Sequence, residues 1–194
     1  LYLYGTSDYT GATTVSQGTL KIGSAAALGN VSSGTTVSSG ASLYLVNGVT
    51  FDAEPLSLSG TGVSYGAMYS NGNNNYQGAI TLAGNSTIYS ISGTLTLSGG
   101  VTGSSNLSLG TSSGAAMTVS ASLGMSGSLT KTDYGTLLLS SANTYSGSTS
   151  IQGGVMQISD PSALGDVTKT SGTTVSSGAT LELLGSKTFN AVPL

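Results

Sequence analysis

The feature that most constrains this chain is a long internal repeat. Residues 9–31 read YTGATTVSQGTLKIGSAAALGNV, and residues 145–167 read YSGSTSIQGGVMQISDPSALGDV. A second pair of segments, residues 34–56 and 172–194, is identical at 15 of 23 positions. The offset between the copies grows from 145 − 9 = 136 to 175 − 37 = 138 residues, so two residues are inserted within the second copy. Recurrence over this length is typical of a repeat protein in which each unit stacks on its neighbour.

The repeat suggests how the chain is divided. We expect one continuous segment over 1–194, with one long repeat unit at 1–138 and the start of a second copy at 139–194. Because Leu1 lies within a strand-like run, we also expect further sequence upstream.

The differences between the two copies follow a period of two residues. Leu20 and Ile22 stay apolar in the second copy, whereas Lys21 between them becomes Gln157. This alternation is typical of a β-strand with one buried face. Many such short strands end at Gly or Ser, which favours an all-β fold, a right-handed parallel β-helix (β-solenoid). At roughly 20 residues per coil, the chain would form about nine or ten coils.

Residues 65–77, YGAMYSNGNNNYQ, break the regular pattern. Clustered Asn with a Gly favours turns, so we expect an irregular loop that projects from the body. Exposed tyrosines are enriched in binding surfaces. The tyrosines that we expect at such a surface are Tyr44, which alternates with buried leucines, and the loop residues Tyr65, Tyr69 and Tyr76. Packing within the fold is an equally open alternative for the three loop tyrosines.

Composition excludes several classes of function. Only 6% of residues are charged, the net charge is −3 and there is no Arg. Neither nucleic acid nor an anionic lipid surface is therefore an expected partner. No apolar run approaches the roughly 20 residues of a membrane helix, so we expect no direct membrane insertion of this segment. A hydrophobic fraction of 38% in regular alternation argues against the alternative of a flexible linker.

The residue sets that carry most catalytic chemistry are missing. Without Cys or His there is no base for a serine triad and no usual zinc site, so we predict no catalytic residue, no metal and no cofactor. Asp52 and Glu54 form the best carboxylate pair for glycoside hydrolysis. Their counterparts in the second copy are Asn190 and Val192, so the pair is not a feature of the repeat. A β-helix enzyme that acts on polysaccharides remains an alternative.

Residues 127–158, GSLTKTDYGTLLLSSANTYSGSTSIQGGVMQI, resemble the passenger-associated repeat of bacterial autotransporters. The positions that match the family pattern are Lys131, Gly135, Leu137, Leu139, Asn143, Thr144, Tyr145, Gly147, Gly154, Met156 and Ile158. Asp133 and Tyr134 depart from it, standing where the family usually has Gly and a small residue, and Val155-Met156 replaces the usual Thr-Leu. A degraded copy occupies residues 9–22.

The resemblance implies a non-enzymatic extracellular protein at the bacterial cell surface. Such a passenger would be a rod or filament displayed at the outer membrane, as in adhesins and biofilms. It would associate with copies of itself or with glycans or proteins of the host or of another surface, and the motif residues would be structural. Another alternative is an ice-binding solenoid with a flat Thr array. Thr94 with Thr96, and Thr168 with Thr170, have the required spacing, but few coils repeat it.

Overall fold

The computed structural model describes residues 1–166, 168 and 170–188. In these residues the chain is a parallel β-solenoid without a helix, which confirms the predicted all-β, parallel class. No helix that could span a membrane is found in the described part of the chain. Asn190 and Val192, the counterparts of Asp52 and Glu54 in the second copy, lie outside the described residues. So does Lys169, which stands between Thr168 and Thr170.

The strands are short and follow one another closely. They are β1 (Tyr2–Leu3), β2 (Thr13–Val15), β3 (Gly18–Ile22), β4 (Thr35–Val37), β5 (Ala41–Leu45), β6 (Thr50–Phe51), β7 (Leu56–Gly60), β8 (Met68–Asn71), β9 (Asn74–Tyr76), β10 (Ile80–Ser92), β11 (Thr94–Leu97), β12 (Val101–Gly103), β13 (Leu107–Thr111), β14 (Ala116–Val119), β15 (Leu123–Met125), β16 (Leu129–Thr132), β17 (Thr136–Leu139), β18 (Thr149–Ile151), β19 (Val155–Ile158), β20 (Thr173–Val175) and β21 (Thr180–Leu183).

The pairing of these strands defines three faces. The first face is β2, β4, β7, the start of β10, β12 and β15, and the second is β1, β3, β5, β8, the end of β10, β13, β16, β18 and β20. The third face is the 7-stranded sheet β6, β9, β11, β14, β17, β19 and β21. Strand β10 continues around a corner and so joins the first two faces into one 14-stranded sheet.

The solenoid has about eight coils, so the predicted nine or ten coils are wrong. The reason is that coil length varies. Tyr2 pairs with Lys21 (21 − 2 = 19 residues), but Tyr44 pairs with Tyr69 (69 − 44 = 25 residues). Eight coils at the strand spacing of about 4.8 Å give a body on the order of 38 Å long.

The core is a set of stacked aliphatic ladders inside the coils. Leu95, Met117 and Leu137 pair in succession on the third face, and all three are fully buried. Burial of such apolar surface, worth roughly 25 cal/mol per Å², is the main term that favours folding. The alternating burial agrees with the period of two that the sequence predicts.

The two copies of the long repeat lie on different faces. Strand β2 belongs to the first face, whereas its counterpart β18 belongs to the second; likewise β3 lies on the second face and its counterpart β19 on the third. From β2 the chain makes six coils along the first face before it reaches β18 on the next face. One repeat unit therefore advances six coils and one further face.

The prediction of a projecting loop at residues 65–77 is largely wrong. Strands β8 and β9 occupy much of this segment and pair with the coils on both sides. Gly72 has a φ of 104°, so the turn signal was locally correct. The side chain of Asn74 forms hydrogen bonds with polar groups near that corner: its Nδ2 donates to Ser70 Oγ (2.9 Å) and its Oδ1 accepts from Val49 N (2.9 Å). The division into repeat units at 1–138 and 139–194 stays a prediction.

Candidate functional site

Six of the ten tyrosines gather on the outside of the second face. One outward position is occupied in successive coils by Tyr2, Lys21, Tyr44, Tyr69 and Tyr89. Together with two neighbours these residues form what we call the tyrosine strip: Tyr2, Tyr4, Lys21, Tyr44, Tyr65, Tyr69 and Tyr89. Four coil steps of about 4.8 Å make it about 19 Å long.

The centre of the strip is a stack of rings. Tyr44 and Tyr69 stack with centroids 4.4 Å apart and an angle of 24° between their planes. Tyr65, from the segment that connects β7 to β8, tilts onto Tyr69 at 5.7 Å and onto Tyr89 at 5.4 Å. Tyr69 is therefore only 7% exposed although it points outward, whereas Tyr65 is 48% exposed. Tyr65 offers the accessible ring at this end of the strip.

Lys21 lies among three rings at the other end of the strip. Its Nζ is 5.3 Å from the Tyr2 ring centroid, 5.9 Å from that of Tyr4 and 5.1 Å from that of Tyr44. These are cation–π distances. Interaction with the Tyr4 hydroxyl is the main cause that raises the pKa of Lys21, so this group stays protonated at neutral pH. The strip thus combines rings, phenol hydroxyls and one positive charge.

Tyr76, which was expected at the binding surface, is wholly buried and belongs to the core. It lies on β9, where its position alternates inward, and its hydroxyl donates to Glu54 O at 2.8 Å. Burial strongly raises the pKa of Tyr76. The structure places Tyr44, Tyr65 and Tyr69 together on the outside.

The candidate carboxylates Asp52 and Glu54 do not share a surface. Asp52 is exposed, but Glu54 is 4% exposed and its Oε1 accepts from Thr35 Oγ1 at 3.0 Å. Burial raises the pKa of Glu54, and the Thr35 hydrogen bond opposes that shift. Within the described ranges no cluster of three metal-ligating side chains occurs.

The Asn-Thr-Tyr turn of the motif forms a corner that closes on its neighbouring coils. Asn143 is buried; its Oδ1 accepts from Leu123 N (2.8 Å) in the preceding coil and its Nδ2 donates to Ala163 O (2.6 Å) in the following one. Thr144 is exposed, and its backbone N–H donates to Leu123 O at 2.9 Å. A single amide side chain thus links three successive coils.

Tyr145 makes a contact that its counterpart Tyr9 repeats. The Tyr145 hydroxyl lies 2.6 Å from Thr149 Oγ1, and the Tyr9 hydroxyl lies 2.6 Å from Thr13 Oγ1. Each ring packs where a Cβ would stand on a glycine, Gly165 or Gly29. Tyr145 is fully buried and Tyr9 is 37% exposed. Burial raises the pKa of Tyr145 to about 12, against the effect of the Thr149 hydrogen bond.

The remaining motif residues allow the coils to approach closely. Leu137 and Leu139 are core positions of β17. A Cβ at Gly135, Gly147 or Gly154 would overlap backbone atoms of a neighbouring coil or corner. Gly154 also has a φ of 62°, where side chains are disfavoured. These positions therefore accept only Gly.

Lys131 is a buried cation inside the solenoid. Its Nζ donates to the carbonyl oxygens of Thr132 (2.6 Å), Asp133 (2.8 Å) and Gly153 (3.4 Å). Burial lowers the pKa of Lys131 to about 8, and the Asp133 carboxylate partly opposes this. Asp133, where the family usually has Gly, has a φ of 62°, so the corner held by Lys131 is in the conformation that Gly favours.

Comparison with known proteins finds a known repeat at the two segments that carry these corners. A family model described as the passenger-associated-transport-repeat matches residues 1–22 and 129–158. These two segments are thus similar to the repeat of autotransporter passengers, and the match supports that family for the part of the chain it covers. Each matched segment contains one of the two Tyr–Thr contacts described above. No curated protein and no solved structure matches the chain. Proteins that carry this repeat are generally secreted or surface-exposed, and the repeat is generally structural.

Sequence reasoning missed part of the tyrosine strip. Tyr2, Tyr4 and Tyr89 were not singled out, nor was Lys21 as their neighbour. The alignment of these residues can be recognised only when the length of each coil is known. Successive residues of the row are separated by 19, 23, 25 and 20 positions, so no fixed period in the sequence reveals them.

Proposed function

We propose that this chain is a non-enzymatic segment of an autotransporter passenger that attaches a bacterial surface to glycans through the tyrosine strip. The observation that carries the proposal is the gathering of six of the ten tyrosines in one outward row and its immediate neighbours. The segment would act outside the cell, at the bacterial cell surface. The stacked coils supply a stiff body, and the strip supplies the contact.

Glycans suit the strip better than apolar partners. The apolar C–H face of a sugar ring packs on an aromatic ring, and phenol hydroxyls can donate to and accept from sugar hydroxyls. Tyr2 and Tyr4 offer accessible rings at one end of the strip and Tyr65 offers one at the other, and Lys21 adds a donor within the same row. Because Tyr44 and Tyr69 are already stacked, binding would order few additional side chains. Association with proteins or with other copies of the chain would be a different outcome of the same test.

The test is retention of the purified chain on a panel of immobilised polysaccharides. Tyr65→Ala should weaken retention on the best ligand about tenfold, which corresponds to roughly 1.4 kcal/mol. Tyr134→Ala is the matched control, because Tyr134 is 80% exposed but lies outside the strip. Equal binding of the two variants, or failure of the parent chain to bind any polysaccharide, would contradict attachment through the strip.

A further inference from the structure

The first face carries a two-row array of hydroxyl side chains. Each of seven successive coils presents two outward positions here, separated by one inward residue. Six coils are those of β2, β4, β7, β10, β12 and β15, and the seventh is residues 144–146, which bond to β15 through Thr144 N to Leu123 O and Ser146 N to Met125 O. The fourteen positions of this hydroxyl face are Thr14, Ser16, Thr36, Ser38, Ser57, Ser59, Thr81, Ala83, Thr102, Ser104, Gly124, Ser126, Thr144 and Ser146.

Composition alone does not account for the array. Twelve of the fourteen positions are Ser or Thr, the exceptions being Ala83 and Gly124, whereas these two residue types make up about a third of the chain. Five of the seven positions in the first row are Thr, and six of the seven in the second row are Ser. All fourteen are exposed or half-buried, and none is charged.

The other two faces lack such an array. The second face has the tyrosine strip and, beyond it, a single hydroxyl row whose neighbouring row is interrupted by Tyr89, Gly110 and Gln152. That single row is Thr87, Ser108, Thr130, Ser150 and Thr174. On the third face, the outward row that includes Thr96 and Thr118 continues with Leu138, Gln157 and Glu182. The expected Thr pair at Thr94 and Thr96 lies in this interrupted region, so the regular hydroxyl array stands on a different face from the one that the sequence pattern indicated.

Backbone hydrogen bonds fix the array in two directions. Along the solenoid axis the rows repeat at the strand spacing of about 4.7–4.9 Å, and across a strand the two rows are about 6.6–6.8 Å apart. The axial spacing is slightly longer, and the cross-strand spacing slightly shorter, than the corresponding oxygen repeats on a prism plane of ice, so the array resembles that plane over a few coils at a time. The first row is in continuous register from Thr14 to Gly124, whereas the second row passes a β-bulge between Leu82 and Ser86.

The hydroxyls of the array are available to water. Among their side chains, only Ser146 Oγ donates to another described residue, Ser126 O at 3.3 Å. Ser and Thr side chains are short, so little rotamer entropy is lost when they hold an ordered water layer. The absence of charge on this face removes groups that would hold water in a different arrangement.

We propose that the hydroxyl face binds the surface of ice, through an ordered layer of water held by its two rows of Thr and Ser. This activity is independent of glycan attachment, because the two surfaces lie on different faces of the solenoid. Its ligand is crystalline water, and no cofactor takes part.

The experiment measures thermal hysteresis and the uptake of the protein into a slowly growing ice hemisphere. The parent chain should show hysteresis and be enriched in the ice, whereas Thr81→Tyr at the centre of the face should lose most of both. Thr118→Tyr, the same change at an outward position of the third face, should retain both. Tyr65→Ala should also retain both, which separates this surface from the tyrosine strip.

Circular dichroism melting of each variant checks the fold, and Thr102→Tyr provides a second position on the same face should Thr81→Tyr unfold. A parent chain that is excluded from ice like an ordinary solute would overturn the proposal. Equal loss in Thr81→Tyr and Thr118→Tyr would overturn it as well, because ice uptake would not then depend on this face.

Discussion

At the scale of single residues, Lys131 is the least expected feature of the fold. A solenoid core is apolar, yet this cation is fully buried and its ammonium group is surrounded by three backbone carbonyl oxygens. Carbonyl groups at a tight corner cannot all point to a neighbouring strand, and a buried unpaired carbonyl is unfavourable. Lys131 therefore provides the donors that the corner at residues 132–135 and the following coil need, at the cost of removing a charge from water.

That burial makes stability depend on pH. The pKa of Lys131 is about 8 in the folded protein against an ordinary value of 10.5, so between these values the unfolded chain holds more protons. The free energy of unfolding should therefore rise with pH in this window, at most by about 1.4 kcal/mol per pH unit. Urea titrations between pH 7.5 and 9.0 measure this slope, below most of the range in which the tyrosines of the unfolded chain lose protons. Lys131→Met should remove most of this rise of the free energy of unfolding with pH, because Met does not titrate.

Lys21→Met is the control for this pH dependence, because Lys21 lies on the outside of the solenoid. The rise of the free energy of unfolding between pH 7.5 and 9.0 should survive that change. If Lys131→Met leaves the slope unchanged as well, then Lys131 keeps its proton in the folded protein throughout the window, and its pKa is not lowered.

At the scale of elements, the Asn-Thr-Tyr corner holds the coils in register. Asn143→Ala would leave Leu123 N–H and Ala163 C=O without a partner in a buried site. The free energy of unfolding should fall by about 2–6 kcal/mol, the sum for two buried groups at about 1–3 kcal/mol each. Chemical denaturation measures this change. Thr144→Ala in the same turn should stay within about 0.5 kcal/mol, because its side chain is exposed. If both substitutions lowered the free energy of unfolding by the same small amount, water would have replaced the Asn143 amide as the hydrogen-bond partner.

The same elements show how far the sequence could predict the fold. Comparison of the two copies identified the pleat, since Leu20 and Ile22 stay apolar while Lys21 changes. It could not identify which residues of different coils are neighbours, because that depends on corners of unequal length. The strands at residues 65–77 were missed for a related reason. The side chain of Asn74 is buried and forms hydrogen bonds at a corner, so this polar cluster does not project from the solenoid.

At the scale of the whole molecule, the repeat advances six coils and one face. Successive units of such a rod would present equivalent positions on successive faces. A feature carried by every unit would then wind around the axis, whereas the tyrosine strip and the hydroxyl face run parallel to it within this chain. The second copy supports this distinction, because Tyr44 of the strip is replaced there by Glu182 on the third face.

Distances between spin labels would test this arrangement. The chain contains no Cys, so pairs of engineered cysteines can be labelled without background. Labels at Thr14 with Thr81, Thr102 and Thr144 lie three, four and six coils apart on the first face. Their separations should increase linearly, at about 14, 19 and 29 Å between backbones.

The decisive pair for the change of face joins Thr14 to its repeat counterpart Ser150. Ser150 lies on the second face, so its label should be farther from Thr14 than the label at Thr144, which lies nearly the same number of coils away but on the first face. Because the label linkers are the same at all positions, the difference between the two pairs reports the face. If Thr14–Ser150 proved no longer than Thr14–Thr144, the copies would stack in line, and equivalent positions of a longer rod would share one face.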